Sequence, residues 1–523
     1  MAFTVPDATF LPDFLEFRAT EKPDDRCWIF GERSWTWAQA WESVRKAAGA
    51  LAADGVSRGD NVAILTKNDP AVLQVLLGGC QLGAATTVVN WRLAGDELDY
   101  VINDCGAEVV FVGSGLLEQF DAIRSKLQNV KKVVVIGGEN DEYDAWLAAG
   151  TPTDRGTDVE PSDIAVVMYS SGTTGRPKGV QLSQSAMVQH SVNGLGDAVY
   201  DPAEDMMLVA MPMFHVGGTS YALLGPVVGV PAYIIPEVDA MQLAGGIMAG
   251  CTHVFLVPAV VAALIQAGPE AMALFSKLKS FGYGAAPMPL PILRAAMEAW
   301  PNTEFQQVYG MTEMGGVITV LNDAAHRDPE HPERLVSAGL PVANAEMRIV
   351  DPGTLQDVEP GQSGEVWFRT PQATSGYLGK PEATAELLTE DGWLRTGDVG
   401  RVDEDGFLFI EDRIKDMIIT GGENVYSPEV ERVLSEHPAV AEVAIIGVPD
   451  KKWGESVKAV VAFKPEQSVD ADELIAFAKE RLASYKVPRS IDVVSELPRN
   501  PSGKILKRDL RKQFWGDSDS QVN

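Results

Sequence analysis

Positive charge is scarce in this sequence. Its 523 residues hold 43 Lys and Arg against 73 Asp and Glu, a net charge of −30. DNA, RNA or anionic lipid is therefore not expected as a partner, because polyanions are repelled at long range. Cysteine is scarcer still. Cys27, Cys80, Cys105 and Cys251 are far apart and form no CxxC pair. That argues against a disulfide scaffold and a cysteine-rich zinc site, and fits a reducing compartment. The opening MAFTVPDATFLPDFLEF has no basic n-region and no apolar h-region, so no signal peptide is expected. The most apolar stretch, 221–236, is broken by Gly225, Pro226, Gly229 and Pro231, and is too short to span a bilayer. The ending SDSQVN is neither a prenylation box nor a peroxisomal address. The expected location is the cytoplasm.

What is present reads as a well-packed globule: 46% apolar residues and 22% charged. The length suggests several units. Charge divides unevenly, with −28 over residues 1–413 and −2 over 414–523. Within the second part, Arg481 to Lys512 carries nine basic and three acidic residues. A local cationic surface on an acidic protein suits a small polyanion, and equally a solvated helical face.

Two periods alternate in the first third. Residues 36–53 put Trp37, Ala40, Trp41, Val44, Ala48 and Leu51 on one helical stripe, with Thr36 and Gln39 as a capping box and Gly55 past the end. Strands at 61–65, 85–90, 108–112 and 132–136 alternate with helices at 71–83, 97–103 and 116–127. Strands separated by helices predict a largely parallel sheet. The rhythm returns between 206 and 300. After about residue 338, short β-like segments at 345–350, 364–369 and 407–411 predict a small β-rich subdomain. A new α+β pattern follows, with helix 428–436, strands 440–446 and 457–463, helix 471–482 and strand 490–494. The main boundary is expected at 412–416.

The strongest local signal is Tyr169-Ser-Ser-Gly-Thr-Thr-Gly-Arg-Pro-Lys-Gly179, between an apolar strand and a helix capped by Ser183. Glycines permit tight left-handed turns. Hydroxyls and exposed N–H groups can then wrap phosphate oxygens, with Lys178 adding charge. It is not a Walker A loop, because Gly179 follows Lys178 where Ser or Thr is required. This loop resembles the phosphate loop of the AMP-forming acyl-CoA synthetases, members of the adenylate-forming enzyme superfamily. Further segments resemble that family in order: Tyr309-Gly-Met-Thr-Glu313, Trp393-Leu-Arg-Thr-Gly-Asp398, 412–424 (DRIKDMIITGGEN) and 498–504 (PRNPSGK). The resemblance spans roughly residues 10–514.

The resemblance implies an α/β fold. A large N-terminal domain of α/β subdomains with a small β-barrel-like subdomain (1–413, β-rich part about 338–411) is hinged to a small α+β C-terminal domain (414–523). It implies two steps: a carboxylate attacks the α-phosphorus of ATP, giving acyl-AMP and pyrophosphate, and the thiol of coenzyme A then displaces AMP. The first step brings an anion to a polyanion and needs Mg²⁺ and fixed cations. By resemblance Ser170, Ser171, Gly172, Thr173, Thr174, Gly175 and Lys178 hold phosphates. Glu313 holds the metal and Thr312 touches the α-phosphate. Tyr309 with Gly310, and Gly284, Ala285 and Ala286 opposite, sandwich adenine, and Gln307 meets its edge. Asp398 takes the ribose hydroxyls, and Arg413 contacts ribose or phosphate. Lys504 bridges carboxylate and α-phosphate during adenylation only. The C-terminal domain then turns about Lys415 and brings Thr420, Gly421, Gly422 and Glu423 to the site for the pantetheine arm.

His215, in Pro212-Met-Phe-His-Val-Gly-Gly218, stands where related ligases carry a gate beside the reacting carboxylate. No Asp lies in 212–220 to pair an α-ammonium, which disfavours an amino acid. The expected acid-pocket walls are Val216, Gly217, Tyr221, Tyr283, Met288, Met311, Gly315 and Gly316, apolar and Met-containing, with Tyr283 shortening the tunnel. A medium- or long-chain fatty acid is expected. Aryl, cinnamate-type and steroid side-chain acids, or loading of a carrier protein, are alternatives. The expected partners are these small molecules, and a homodimer is compatible with the reading.

Overall fold

The computed structural model describes residues 4–170, 176–421, 423–499 and 505–515. Two mostly parallel sheets fill the N-terminal part, as the alternating periods predict. In the first, strands Lys132–Ile136, Val109–Gly113, Asn61–Leu65, Ala85–Val88 and Ile164–Ser170 run parallel, and Lys178–Ser183 and Gly376–Tyr377 turn antiparallel at one edge. In the second, Arg26–Phe30, Ala232–Ile234, Met207–Val209, His253–Leu256, Ser280–Gly284 and Glu304–Met311 run parallel. Antiparallel strands Gly316–Leu321 and Leu340–Pro341 close that edge, and Arg33–Thr36 closes the other.

Local rules explain the helices over these sheets. Helix Trp37–Ala53 starts at Thr36, whose capping box with Gln39 is complete. Its Ala40, Val44, Ala47, Ala48 and Leu51 are buried. Helix Pro70–Leu82 has Asp69 as N-cap and left-handed Gly83 at its end. The two helices meet at Gly78, where a methyl group would lie 2.9 Å from the Ala47 Cβ and 3.0 Å from the Ala48 nitrogen. Gly78→Ala would force them apart. The single helix expected over 116–127 is instead three short turns, Ser114–Leu116, Leu117–Asp121 and Arg124–Lys126. The Asn103 side chain ends the run by donating to the Lys126 carbonyl and accepting from the Gln128 N–H.

The β-rich subdomain is a four-stranded antiparallel sheet of Glu346–Val350, Gly364–Arg369, Leu394–Val402 and Leu408–Arg413. Its third strand was not anticipated, because Gly397 interrupts the sequence pattern there. The C-terminal part has its own apolar core of Ile418, Val430, Leu434, Ile445, Ala459, Val461 and Leu474. It pairs Val440–Asp450 with Gly454–Phe463, to which Ser490–Val493 adds in parallel. The boundary proposed at 413/414 falls between strand Leu408–Arg413 and strand Ile418–Thr420. No helix among the described residues is long and apolar enough to cross a membrane. Ser170, Gly284 and Met311 all lie at the C-terminal ends of parallel strands, where open α/β sheets place ligands.

Candidate active site

The phosphate-loop hairpin fixes one corner. Ser170 pairs with Lys178 across the antiparallel strands. Ser171, Gly172, Thr173, Thr174 and Gly175 lie outside the described residues, as do Gly422 and Lys504. The Lys178 ammonium sits 4.9 Å over the Tyr377 ring. The Tyr377 hydroxyl donates to Glu313 Oε1 at 2.8 Å. Glu313 stands on the Thr312–Met314 turn, 6% exposed. Burial raises its pKa, and the Tyr377 bond and the charges of Arg413 and Lys178 oppose that rise.

Asp398 joins the other corner. It is 5% exposed, accepts from the Tyr309 hydroxyl at 2.6 Å and meets Arg413 Nε at 3.0 Å. Sheet register sets this up, since Asp398 pairs directly with Arg413. Burial, then the Asp398 charge, pushes the Tyr309 phenol well above its ordinary pKa. Tyr309, Asp398 and Arg413 thus form one contact group and Glu313, Tyr377 and Lys178 another, and the charges of Arg413 and Lys178 both reach Glu313, although these residues span more than 230 positions of sequence. Nearby, the backbone runs unusually close. A methyl on Gly310 would lie 1.7 Å from the Gly316 carbonyl oxygen, and one on Gly284 would lie 2.3 Å from that of Val308. Ala285 is held at φ +66°, a left-handed conformation rare for alanine, and Ala286 follows it at the same strand end. The Gln307 side chain lies 3.3 Å from the Tyr283 hydroxyl.

The residues expected from sequence to line the acid pocket include Val216, Gly217 and Tyr221 of helix Val216–Val228, with His215 as its N-cap. Burial, then the Arg92 charge, lowers the His215 pKa to about 4, so its imidazole is neutral. Its Nε2 and the Tyr221 hydroxyl are buried without a hydrogen-bond partner among the described residues. Phe255 fills the space between two glycines: a methyl on Gly217 would lie 3.2 Å from its ring, and one on Gly282 3.3 Å. Tyr221 is 6.1 Å from Phe255, ring to ring. Phe255, Gly282, Tyr377 and Arg92 were not singled out from sequence. Alternation along strand Ser280–Gly284, with Gly282 opposite Tyr283, is the signal that could have found the first pair.

Two placements correct the sequence reading. Tyr283 faces a core and not open space. It is 0% exposed, on the strand face opposite Gly282, and its hydroxyl bonds His326 Nε2 at 2.7 Å. Met288 packs in the same core with Phe281 and Trp300, whereas Met311 stays partly exposed against the core of the β-rich subdomain. Gly421 does not offer an open path at its backbone. It has φ +63°, and a methyl there would lie 2.7 Å from the Trp453 indole. Thr420 is buried and pairs with exposed Glu423. Lys415 contributes its carbonyl oxygen to Arg511 Nη1 at 3.1 Å.

The AMP-binding enzyme family matches residues 15–378, and its C-terminal domain matches 429–504. The chain belongs to this family. It is an adenylate-forming enzyme with the family's large N-terminal and small C-terminal parts. A fatty acid–[acyl-carrier-protein] ligase of Streptomyces coeruleorubidus is 35% identical over 99% of both chains. A feruloyl-CoA synthase of an Amycolatopsis species is 37% identical over 95% of this chain and 97% of that one. The o-succinylbenzoate coenzyme A synthetase of Bacillus subtilis, solved with ATP and magnesium ion, superposes with a TM-score of 0.80. It is 30% identical and covers 96% of this chain and 98% of its own. CoA ligases of this family use ATP, Mg²⁺ and coenzyme A. Glu313 suits that metal: Mg²⁺ takes one or two carboxylates and fills its shell with phosphate and water oxygens. Among the described residues no group of three or more His, Cys, Asp or Glu gathers.

Proposed function

We propose that this adenylate-forming enzyme joins a carboxylic acid to the thiol of coenzyme A through an acyl-adenylate. The observation that carries this reading is the convergence of Lys178, Arg413 and Glu313 beside the Tyr309–Asp398 pair. In the first step a carboxylate oxygen bonds the α-phosphorus while the bond to the β-phosphate oxygen breaks and pyrophosphate leaves. Mg²⁺, held by Glu313, neutralises triphosphate charge when bound. Lys178 and Arg413 add fixed positive charge in a partly dry cleft, where it counts for more than in water. Asp398 accepts the ribose hydroxyls. Neutral His215 keeps the acid side free of a second full charge, and an Nε2–H there donates to the substrate carboxylate. In the second step the thiol sulfur bonds the acyl carbon and AMP departs, with Lys504 withdrawn by rotation about Lys415.

For the acid, an aryl or cinnamate-type molecule stands at least level with a fatty chain. The aromatic walls of Phe255 and Tyr221, set against Gly217 and Gly282, support a flat ring. AMP release measured with coenzyme A, or with a carrier protein, across fatty, aryl and sterol-derived acids tests substrate and thiol together. Lys504→Ala should abolish ATP–pyrophosphate exchange and leave coenzyme A transfer from supplied acyl-AMP largely intact. Equal loss of both half-reactions refutes the two-conformation assignment.

A further inference from the structure

The turn after Glu313 is held in an unusual way. Strands Glu304–Met311 and Gly316–Leu321 pair with a register shift at Tyr309/Gly310. The tip, Met314 and Gly315 buried and Gly316 and Val317 half-buried, therefore departs from a regular ladder, and its main-chain polar groups must still be matched. Side chains from three separate elements match them. Gln372 donates its amide to the carbonyls of Met314 at 2.7 Å and Val317 at 2.6 Å. Ser220 Oγ donates to the Gly315 carbonyl at 2.9 Å. His190 Nε2 accepts the Val317 N–H at 3.0 Å.

Each partner is itself fixed. Asn193 Nδ2 donates to Gln372 Oε1 at 2.7 Å, so the Gln372 amide can present only its NH₂ to the turn. An Nε2 acceptor leaves the proton of a neutral imidazole on Nδ1. That Nδ1 is buried with no partner among the described residues. The protein therefore keeps an unmatched donor in order to supply the acceptor that Val317 needs, a cost of the kind usually removed where it has no use. The His190 ring also occupies the side-chain space of Gly315 and Gly316, whose φ values are +70° and +131°. A methyl on Gly316 would lie 2.7 Å from His190 Nε2.

We propose that His190, Asn193 and Gln372 are positioning residues for the acid side of the cleft. They hold the main chain of 314–317 and, through it, set the wall that faces the substrate carboxylate. This rests on the acid–thiol ligase reading. None of the three is within the phosphate, ribose or metal-binding set, so the effect should fall on the acid far more than on ATP.

The test is steady-state ATP–pyrophosphate exchange with acid and ATP varied separately, alongside thermal unfolding. His190→Leu and Gln372→Met remove an acceptor and two donors at similar volume. Each should lower kcat/KM for the acid about 10- to 100-fold while KM for ATP stays within about twofold, the pattern of misplaced reacting groups. His190→Gln keeps an acceptor and should recover most of the loss. Asn193→Ala touches no turn atom and only frees the Gln372 amide to flip. It should fold normally and show an intermediate loss, which covers the case where the other variants do not fold. Acid and ATP parameters falling in parallel, or His190→Gln no better than His190→Leu, overturns the proposal. A wild-type enzyme inactive with every acid overturns the ligase reading and this one with it. An active wild type with unaffected variants overturns this one alone.

Discussion

Mild acid should weaken the N-terminal part more than ordinary surface titration would. His190 and His326 are 1% and 3% exposed, and burial pulls each from 6.5 to about 4. Geometry agrees. The Val317 N–H already points at His190 Nε2, and the His326 ring is bonded on both sides, to Tyr283 and to the Asn322 carbonyl. The unfolded chain takes up these protons near pH 6.5, before the folded one does. The stabilisation is therefore whole above 6.5 and is lost as the pH falls toward 4. Moving from about pH 7.5 to about pH 5 costs about 2 kcal/mol per histidine, or about 4 kcal/mol for the pair. Asp412 runs the other way. Burial raises it to about 6, so its folded form gains a proton first and returns about 1 kcal/mol at the lower pH. Urea unfolding followed by tryptophan fluorescence at both pH values, on wild type, His190→Gln and His326→Gln, measures this. Each variant should lose about 2 kcal/mol less than wild type between the two pH values. Equal losses in all three proteins would refute the argument that these imidazoles are held neutral.

Two further outcomes follow from packing. Phe255→Ala should enlarge the acid side and shift kcat/KM toward longer or bulkier acids by about tenfold, read from competing acids in one AMP-release assay. An unchanged ranking of acids would show that Phe255 does not face the substrate. Arg511→Ala removes the guanidinium that grips Asp416 at 2.8 Å and the Lys415 carbonyl at 3.1 Å. The ratio of the two half-reaction rates should move severalfold, since a clamp on the hinge biases one orientation of the C-terminal part. An unchanged ratio with normal folding would remove Arg511 from the hinge.

Much of this was legible in the sequence, for reasons that can be named. The helix at 37–53 announced itself through a local capping box, and the parallel strands through short apolar runs between helices. Asp398 and Arg413 were readable as motif members, but their direct pairing depends on register between strands Leu394–Val402 and Leu408–Arg413, which no local pattern encodes. Tyr283 was misplaced because motif position says nothing about which strand face a side chain takes. One residue along, Gly282 faces Phe255 instead. Gln372 and His190 were invisible because their partners are main-chain atoms more than 50 residues away, and any sequence at 314–317 offers those same atoms.

The two halves of the cleft differ in how their polar groups are matched, and that difference bears on how each ligand binds. On the nucleotide side Tyr309, Asp398 and Arg413 satisfy one another, and Tyr377 satisfies Glu313. On the proposed reading ATP would exchange these bonds for its own, so net affinity would come from phosphate charge meeting Lys178 and Arg413 and not from the hydrogen bonds alone. On the side proposed for the acid, His215 Nε2 and the Tyr221 hydroxyl are two buried polar atoms without partners among the described residues. A group left unmatched there costs about 1–3 kcal/mol, and a ligand oxygen that reaches it recovers that cost. A carboxylic acid with its carboxylate at His215 and a polar ring substituent near Tyr221 would recover it twice. A plain alkyl acid of the same volume would meet only one of these two atoms if it bound there.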